Sequence, residues 1–408
     1  MHKVCITPHG DYCLTGYGKP FDGQVCKGEG VHDDIYATSI LLSVDEEKIF
    51  LYNADFIEFE YGFCEEVKLK LQQQFGIDKN LVFFSATHNH QSVMSQQRVW
   101  HNIEFSQEYY DFIVSTVLKS YQACVNSLQE VKAYFGHDVI LGYYGSRIHH
   151  GEEADNEVIL LQFRNSDDEV VAAICNWATH STVVGMENHL VTADLAGNVR
   201  EKLIGLKGYN CAMVVGAAGD ASTRAFRQGI DFAELERVSS ALAEKIAAIQ
   251  VDQPLTLSFT DDYFIKHRVY YDNTGKHEAA RAKLAPLQKQ YEACTDDGQR
   301  KILRDQIGSI KRGLEIGVVD VHLFASVVRL CDLEIISIPG ELGSRYGKDF
   351  KQLSKAKCTL IFGYTNGHFH YLLPPEEYGL SFETLGSVYR STDVEAYVNK
   401  IKQVLKDE

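Results

Sequence analysis

Short apolar runs rich in β-branched and aromatic residues alternate along the chain with segments of helical periodicity. The apolar runs predict strands at Tyr36–Val44, Lys48–Tyr52, Leu81–Ser85, Val158–Phe163, Val170–Trp177, Ala212–Val215, Val327–Ile338 and Thr359–Phe362. The periodic segments predict helices at Glu65–Phe75, Gln107–Leu128, Asp194–Leu206 and Phe232–Ala247. This alternation favours an α/β fold with a mixed, largely buried β-sheet flanked by helices.

Two further helical regions are predicted near the carboxyl end of the chain. Residues from about 266 to 317 are charged and helix-rich, with a break at "TDDG". This pattern predicts a protruding helical insertion, either a solvated excursion or a lid over a pocket. Thr392–Glu395 reads as a capping box before an amphipathic helix with apolar residues at Val394, Tyr397, Ile401, Val404 and Leu405. With no repeat or linker in the sequence, residues 1–408 are expected to form one domain with an insertion.

Composition and charge narrow the class of protein. The 408 residues are 45% hydrophobic and 24% charged, which is typical of a globular chain with a large core. The formal net charge of −16 argues against a nucleic-acid or anionic-membrane partner, because no basic field offsets phosphate repulsion. The ten cysteines form no CxxC pair, and several lie in apolar runs, which is typical of buried, reduced thiols. We therefore expect a cytoplasmic protein without a membrane anchor, either monomeric or a homo-oligomer.

Polar side chains gather immediately after the carboxyl ends of five predicted strands. These residues are His88 and His90 in "ATHNH", His180 in "NWATHST", Asp220 and Ser222 in "GDAS", Glu341 in "IPGE", and His368, His370 and Tyr371 in "GHFHY". In sheets of parallel character the carboxyl ends of the strands open onto one crevice, where ligands bind. The pattern therefore predicts one shared site rather than five independent clusters.

The residue types in this predicted site favour metal chemistry. Histidines with one carboxylate and an open position are the ligand set of a catalytic zinc, which polarises a carbonyl and activates water. The chain contains no HExxH motif and no GxSxG motif. Local sequence leaves Ser222 open as a turn or helix-cap residue, and it leaves Arg147, His149 and His150 open as loop residues or pocket residues.

The motifs and their order resemble the neutral/alkaline ceramidase family over nearly the whole chain. The matching stretches are "ITPHGDYCLTGYG", "GVHDDIYA", "ATHNH", "ADNEVILLQF", "NWATHST…HLVTADLAG", "GAAGDAS", "IPGE" and "HYLLPPEEY". The resemblance implies the α/β catalytic domain of that family. It also implies zinc-dependent hydrolysis of the N-acyl amide bond of ceramide. The family's C-terminal immunoglobulin-like domain has no counterpart among these motifs.

The resemblance also assigns roles to individual residues. It implies that His88, His180, Glu341 and Tyr371 ligate Zn²⁺; the tyrosine ligand rests on the resemblance alone. It places His90 against the substrate as a general acid/base or an oxyanion donor. Ser222 falls on the family's active-site serine, with a role in binding substrate or intermediate, and Asp220 is expected to orient a ligand.

Departures from the family pattern bear on the substrate. "HNHQSVMS" replaces a glycine-rich stretch, and "GDAST" lacks the usual proline. A family arginine aligns with His150 and a family tyrosine with Phe382, so both positions are expected to line the substrate site. We therefore expect a zinc hydrolase acting on a small soluble amide, ester or lactone. The alternatives are a true ceramidase and a non-catalytic relative that binds a metal or a ligand.

Overall fold

The computed structural model describes residues 1–10, 12–16, 27–93, 106–272, 274–295, 300, 303–304, 306–308, 310–311, 314, 317–379, 381–385 and 387–407. The α-helices are α1 Tyr61–Phe75, α2 Gln107–Asn126, α3 Asp194–Lys207, α4 Phe232–Ala247, α5 His277–Ala293, α6 Ser344–Leu353, α7 Phe382–Leu385 and α8 Ser391–Lys406. The strands are β1 His2–Cys5, β2 Gly30–Val31, β3 Tyr36–Val44, β4 Glu47–Ala54, β5 Val82–Ala86, β6 Lys132–Val139, β7 Gly145–Ser146, β8 Glu157–Arg164, β9 Val170–Trp177, β10 Leu190–Val191, β11 Ala212–Val215, β12 Ala221–Ser222, β13 Gln253–Leu255, β14 Asp261–Asp272, β15 Val318–Leu330, β16 Leu333–Ser337, β17 Glu341–Leu342, β18 Cys358–Phe362 and β19 Tyr371–Leu372.

Three larger sheets carry the fold. Their strand orders are β1-β3-β4-β5, β11-β9-β8-β6-β13 and β14-β15-β16-β18. Each contains one parallel pair: β4 with β5, β9 with β11, and β16 with β18, while the other described pairs of these sheets are antiparallel. The mixed α/β architecture expected from the sequence is confirmed. Pairs β2–β10, β7–β12 and β17–β19 add three two-stranded ribbons.

The three sheets share one apolar core, and the period of two along each strand explains how. Leu51 of β4 and Phe83 of β5 contribute to a central cluster together with Leu161, Ile335 and Phe362 of the other two sheets. Their sequence neighbours point the other way. Phe50, Tyr52, Val82 and Phe84 pack in an outer cluster with α1, α2, α3 and α4. Ile336 and Ile361 pack in a third cluster with α6 and α8. Both faces of the central strands are therefore buried.

The carboxyl ends of five strands meet through backbone contacts. Ser85 of β5 bridges Thr365, and Asn89 bridges Ser181 beyond β9. Gly363 N, just after β18, donates to Val215 O of β11 at 2.9 Å, and Ile338 N, just after β16, donates to Phe362 O at 2.8 Å. These bonds bring the segments that follow β5, β9, β11, β16 and β18 to one place, as the sequence predicted.

Most predicted elements are confirmed within a few residues, and three need correction. The predicted strand Val327–Ile338 is two antiparallel strands, β15 and β16, because Cys331 and Asp332 form a turn in which Cys331 has φ 56°. The predicted capping box does not form: α8 begins at Ser391 after Arg390, without a side-chain cap. Its predicted apolar face is buried at Val394, Tyr397, Ile401 and Leu405, while Val404 is partly buried against the same cluster.

The third correction concerns the insertion predicted at 266–317. Its first residues belong to the long hairpin β14–β15, so the helical part, including α5, lies between the two strands of that hairpin. "TDDG" lies mostly outside the described residues.

In the described part of the chain, no helix has the length and apolarity needed to cross a membrane. Cys64, Cys124, Cys175, Cys211 and Cys358 are buried thiols, as expected from their apolar neighbours.

Candidate metal centre

The segment after β5 brings His88 and His90 together. Two backbone hydrogen bonds fix it, Thr87 N to Ala54 O at 2.9 Å and Asn89 N to Phe56 O at 3.0 Å. Between them His88 adopts a left-handed conformation with φ 55°, which is uncommon for a residue other than glycine. The Nε2 atoms of His88 and His90 are 3.1 Å apart. The rings of His88 and His90 therefore meet at their Nε2 atoms.

His180 and Glu341 arrive at the same point from the ends of β9 and β16. Glu341 Oε2 lies 3.1 Å from His180 Nε2 and 3.6 Å from His88 Nε2. Among the described residues, His88, His90 and His180 form a group whose ligand atoms all lie within 4.8 Å of one another. The structure thus brings together three histidines and one carboxylate that are far apart in sequence.

Hydrogen bonds on the far side of two rings orient the cluster. His88 Nδ1 lies 2.8 Å from Ile57 O, and His180 Nδ1 lies 3.1 Å from Ala221 O. A carbonyl only accepts, so each Nδ1 carries the proton and each Nε2 presents its lone pair to the cluster. This tautomer is the one that ligates a metal through Nε2.

The cluster fits a metal ion better than it fits a closed polar network. His180 Nε2 and Glu341 Oε2 are buried and have no hydrogen-bond partner, although they lie 3.1 Å apart. Buried polar atoms without a partner are rare because each costs free energy. Zn–N distances of about 2.0–2.1 Å in a tetrahedral site place ligand atoms about 3.3 Å apart. The observed separations of Glu341 Oε2 from His180 Nε2, 3.1 Å, and from His88 Nε2, 3.6 Å, are close to that value.

Burial keeps these histidines neutral. It lowers the pKa of His88 and His180 well below the ordinary value, and it lowers the pKa of His90 to about 3. The positive charge of Arg147 lowers all three further. Neutral imidazole is the form that binds a metal, so the site is ready for one at neutral pH.

The other carboxylate oxygen of Glu341 faces His368, which in turn contacts the buried carboxylate of Glu58. His368 Nε2 lies 3.3 Å from Glu341 Oε1, and its Nδ1 lies 2.7 Å from Glu58 Oε2. Burial opposes the charge on His368, but Glu58 and Glu341 outweigh it and raise the pKa of the ring to about 10. Oε1 of Glu341 thus faces a cation, and Oε2 faces His88 and His180. Glu58 was not predicted as a site residue, although it is a polar residue shortly after the carboxyl end of strand β4, like the site residues that were predicted.

Arg147 enters the site and contacts Tyr371. Its Nη2 donates to the Tyr371 hydroxyl at 3.0 Å and lies 4.0 Å from Glu341 Oε2, while its Nε lies 2.8 Å from Glu383 Oε1. Burial raises the pKa of Tyr371, and the nearby Glu341 carboxylate adds to that shift. Tyr371 therefore lies within the polar cluster, and its role as a ligand stays a prediction.

The remaining predicted residues lie around this core. Asp220 accepts hydrogen bonds from Ser344 N and Ser344 Oγ, both at 2.7 Å, and so fixes the start of α6 three residues after Glu341. Ser222 Oγ accepts from Arg224 N at 3.2 Å, which is the turn interaction left open by the sequence.

His150 is exposed, three residues beyond Arg147. Phe382 is the first residue of α7, beside Glu383, and its side chain lies outside the described part of the chain.

The residues that alternate with the two histidines connect the metal-site loops. Asn89 Nδ2 donates to Thr192 O at 2.7 Å, and Gln91 Nε2 donates to Gly185 O at 2.8 Å. Gln91 also receives a hydrogen bond from Asn188 Nδ2 at 3.0 Å through Oε1. Both carboxamides are buried. The stretch "HNHQ" therefore presents its histidines to the cluster and its amides to the segment that follows His180.

Residues 5–203 match the family described as neutral/alkaline non-lysosomal ceramidase, N-terminal. The resemblance to the neutral/alkaline ceramidases is confirmed. The matched segment includes His88, His90 and His180, while Glu341 and Tyr371 lie beyond it. A comparison with curated proteins finds no match.

Two solved ceramidase structures share the fold. The neutral ceramidase from Pseudomonas aeruginosa is similar with a TM-score of 0.75 and 17% sequence identity, over 99% of this chain and 73% of that chain. A ceramidase complexed with C2 is similar with a TM-score of 0.73 and 16% identity, over 99% of this chain and 74% of that chain. At these identities the likeness establishes the ceramidase fold.

Proposed function

We propose that the chain is a zinc-dependent hydrolase that cleaves an amide bond in a small, water-soluble substrate. The observation that carries the proposal is the convergence of neutral His88 and His180 with Glu341 Oε2, at 3.1–3.6 Å, on a ceramidase-like fold. A bound zinc ion would polarise the scissile carbonyl and lower the pKa of a water molecule. An ester or lactone has the same reacting carbonyl and is the alternative bond.

The protein's own groups would divide the work. His88, His180, Glu341 and Tyr371 would hold the ion, as the ceramidase resemblance implies. His90 would accept a proton at Nε2 and return it to the leaving group, because burial keeps its ring neutral. Arg147 would stabilise the negative charge of Glu341 and keep the Tyr371 hydroxyl in place.

Ceramide is the second candidate substrate, and the two solved neighbours named as ceramidases favour it. The segment after His90 favours the smaller substrate. Where the resemblance leads one to expect Ser-Gly, this chain has Gln91 and Ser92, and both are buried. Larger side chains at these two positions change the wall of a pocket, so the metal chemistry transfers more directly than the lipid specificity.

Metal analysis combined with turnover tests the proposal. Purified protein is assayed with short N-acyl compounds, lactones and a short-chain ceramide, before chelation, after chelation and after zinc is restored. We expect hydrolysis of a short N-acyl compound that chelation abolishes and zinc restores. Turnover that chelation leaves unchanged would contradict the zinc mechanism. Preferred cleavage of the ceramide would favour the second candidate, and bound zinc without turnover of any compound would favour a non-catalytic relative.

His90→Gln separates catalysis from metal binding. The variant should keep its zinc and lose turnover by about a hundredfold or more, which is the usual contribution of a positioned acid/base. Turnover within a few-fold of the wild type would remove the proton-transfer role. Loss of the zinc would instead identify His90 as a ligand, as its 3.1 Å approach to His88 also allows.

A further inference from the structure

Arg224 stands in the turn that follows strand β12, close to the metal-site histidines. Its backbone N donates to Ser222 Oγ at 3.2 Å. The same turn is attached to the metal site, since Ala221 O accepts from His180 N at 3.1 Å and also faces His180 Nδ1 at 3.1 Å. The charge of Arg224 is near enough to lower the pKa of both His90 and His180. This arginine therefore belongs to the rim of the metal site.

Arg224 differs from the two arginines nearest to it. The Arg147 guanidinium contacts Glu383 at 2.8 Å and donates to Gly219 O at 2.8 Å. Arg227 donates to Thr182 O at 2.7 Å and to Val183 O at 3.0 Å. Within the described residues, the Arg224 guanidinium has neither a hydrogen-bond acceptor nor an ion-pair partner in the protein. Two of the three arginines are thus used by the fold, and one is left for a ligand.

The surroundings of Arg224 make its positive charge unfavourable. Burial by neighbouring atoms, then the charges of Arg147 and Arg227, lower the pKa of Arg224 despite the opposing effect of Glu383. The residue nevertheless remains reachable from solvent. A cation that lies near other cations and has no partner is stabilised when an anion binds to it.

We infer that Arg224 binds an anionic group of the substrate, a carboxylate or a phosphate. The inference rests on the proposed function and narrows its substrate class to small amides that carry a negative charge next to the scissile bond. An N-acyl amino acid and an N-acyl phosphoethanolamine are examples of that class. Uncharged ceramide lies outside it. The guanidinium suits both groups because its planar donors pair with two oxygens at once.

Binding measurements on the zinc-loaded protein test the inference without requiring turnover. The probes are N-acetylglycine, N-acetyl-O-phosphoethanolamine and the uncharged N-acetylglycinamide, titrated by calorimetry into wild type, Arg224→Gln and Arg224→Lys. We expect one of the two anionic probes to bind more tightly than the amide. Arg224→Gln should weaken that probe by about tenfold to a hundredfold, the value of a hydrogen bond to a charged group, and leave the amide unchanged. Arg224→Lys should recover part of the loss.

The control is Arg268→Gln, because Arg268 is an exposed arginine paired with Asp320 in the β14–β15 hairpin. This variant should bind all three probes like the wild type. Equal weakening of the charged and uncharged probes by Arg224→Gln would overturn the inference. Anion binding that Arg224→Gln leaves intact would also overturn it, and so would a wild-type protein that binds neither anionic probe. If anions bind through Arg224 but no amide is hydrolysed, the inference stands and the proposed hydrolase function fails.

Discussion

The strands that form the apolar centre of the molecule also end at its polar site. The two regions are both buried, but their burial has opposite effects on stability. In the centre, Leu51, Phe83 and Leu161 are buried against one another by shape and hydrophobicity alone. A few residues further along, His88, His180 and Glu341 are also buried, but His180 Nε2 and Glu341 Oε2 have no hydrogen-bond partner. The centre contributes to the stability of the fold. The site costs stability, and an uncompensated cost of this kind is typical of a functional site.

The comparison predicts that changes in the site remove metal and leave the fold intact. His180→Asn keeps a donor for Ala221 O in place of Nδ1 and removes Nε2. We expect bound zinc to fall below about a tenth of an equivalent, because a zinc site that loses a protein ligand loses most of its affinity. The metal-free variant should unfold within about 1–2 kcal/mol of the metal-free wild type, since it loses a buried atom that had no partner. Full zinc occupancy measured by elemental analysis would refute the ligand assignment.

A change in the centre should have the reverse effect. Phe83 is fully buried and packs edge-on against Phe362, with ring centroids 5.9 Å apart. Phe83→Ala should lower the free energy of unfolding by about 3–5 kcal/mol, through lost apolar contact and the cavity left behind. At temperatures where the variant is folded, zinc occupancy should match that of the wild type. A denaturant titration and a metal assay on the same sample check both halves, and loss of zinc from folded protein would show that the two regions are coupled.

Gln91 lies at the boundary between the two regions and should show an intermediate effect. Its carboxamide joins the His88–His90 loop to Val184 O and Gly185 O, beyond His180. Gln91→Ala should weaken zinc binding by about tenfold to a hundredfold, the usual cost of losing a group that orients metal ligands. The absorption spectrum of the cobalt-substituted variant should also change if the ligand geometry relaxes. Gln122→Ala, which removes an exposed glutamine on α2 bonded to Asn126, is the matched control and should change neither.

The smallest effect is a pH dependence of stability in the metal-free protein. Burial lowers the pKa of His180, whereas the unfolded chain protonates this residue near pH 6.5. Below that pH the unfolded state binds more protons, so the contribution of neutral His180 to stability is present above pH 6.5 and is lost as the pH falls. His180→Asn should therefore make the decline below pH 6.5 shallower by at most about 1.4 kcal/mol per pH unit. Parallel curves for wild type and variant, measured by denaturant titration, would contradict the burial argument.

The sequence predicted one of these regions more completely than the other. Period-two alternation and strand ends were enough to place the central strands and to bring His88, His180, Glu341 and Tyr371 into one cluster. Alternation could not show the turn at Cys331, because a tight turn inside an apolar run leaves the hydrophobic pattern unbroken. It also could not place Arg147, whose loop position looks polar in sequence while its guanidinium is buried between Tyr371 and Glu383. Glu58 was visible by the same strand-end signal as the other site residues.

Zinc content of the purified protein, measured beside His88→Asn, tests the central claim most directly. Asparagine tolerates the left-handed conformation at position 88 and can donate to Ile57 O as Nδ1 does, so the variant removes only the inward-facing Nε2. We predict about one equivalent of zinc in the wild type and less than about a tenth in the variant, with both proteins folded. Less than about a tenth of an equivalent in the wild type, with no rebinding from zinc solution, would contradict the account.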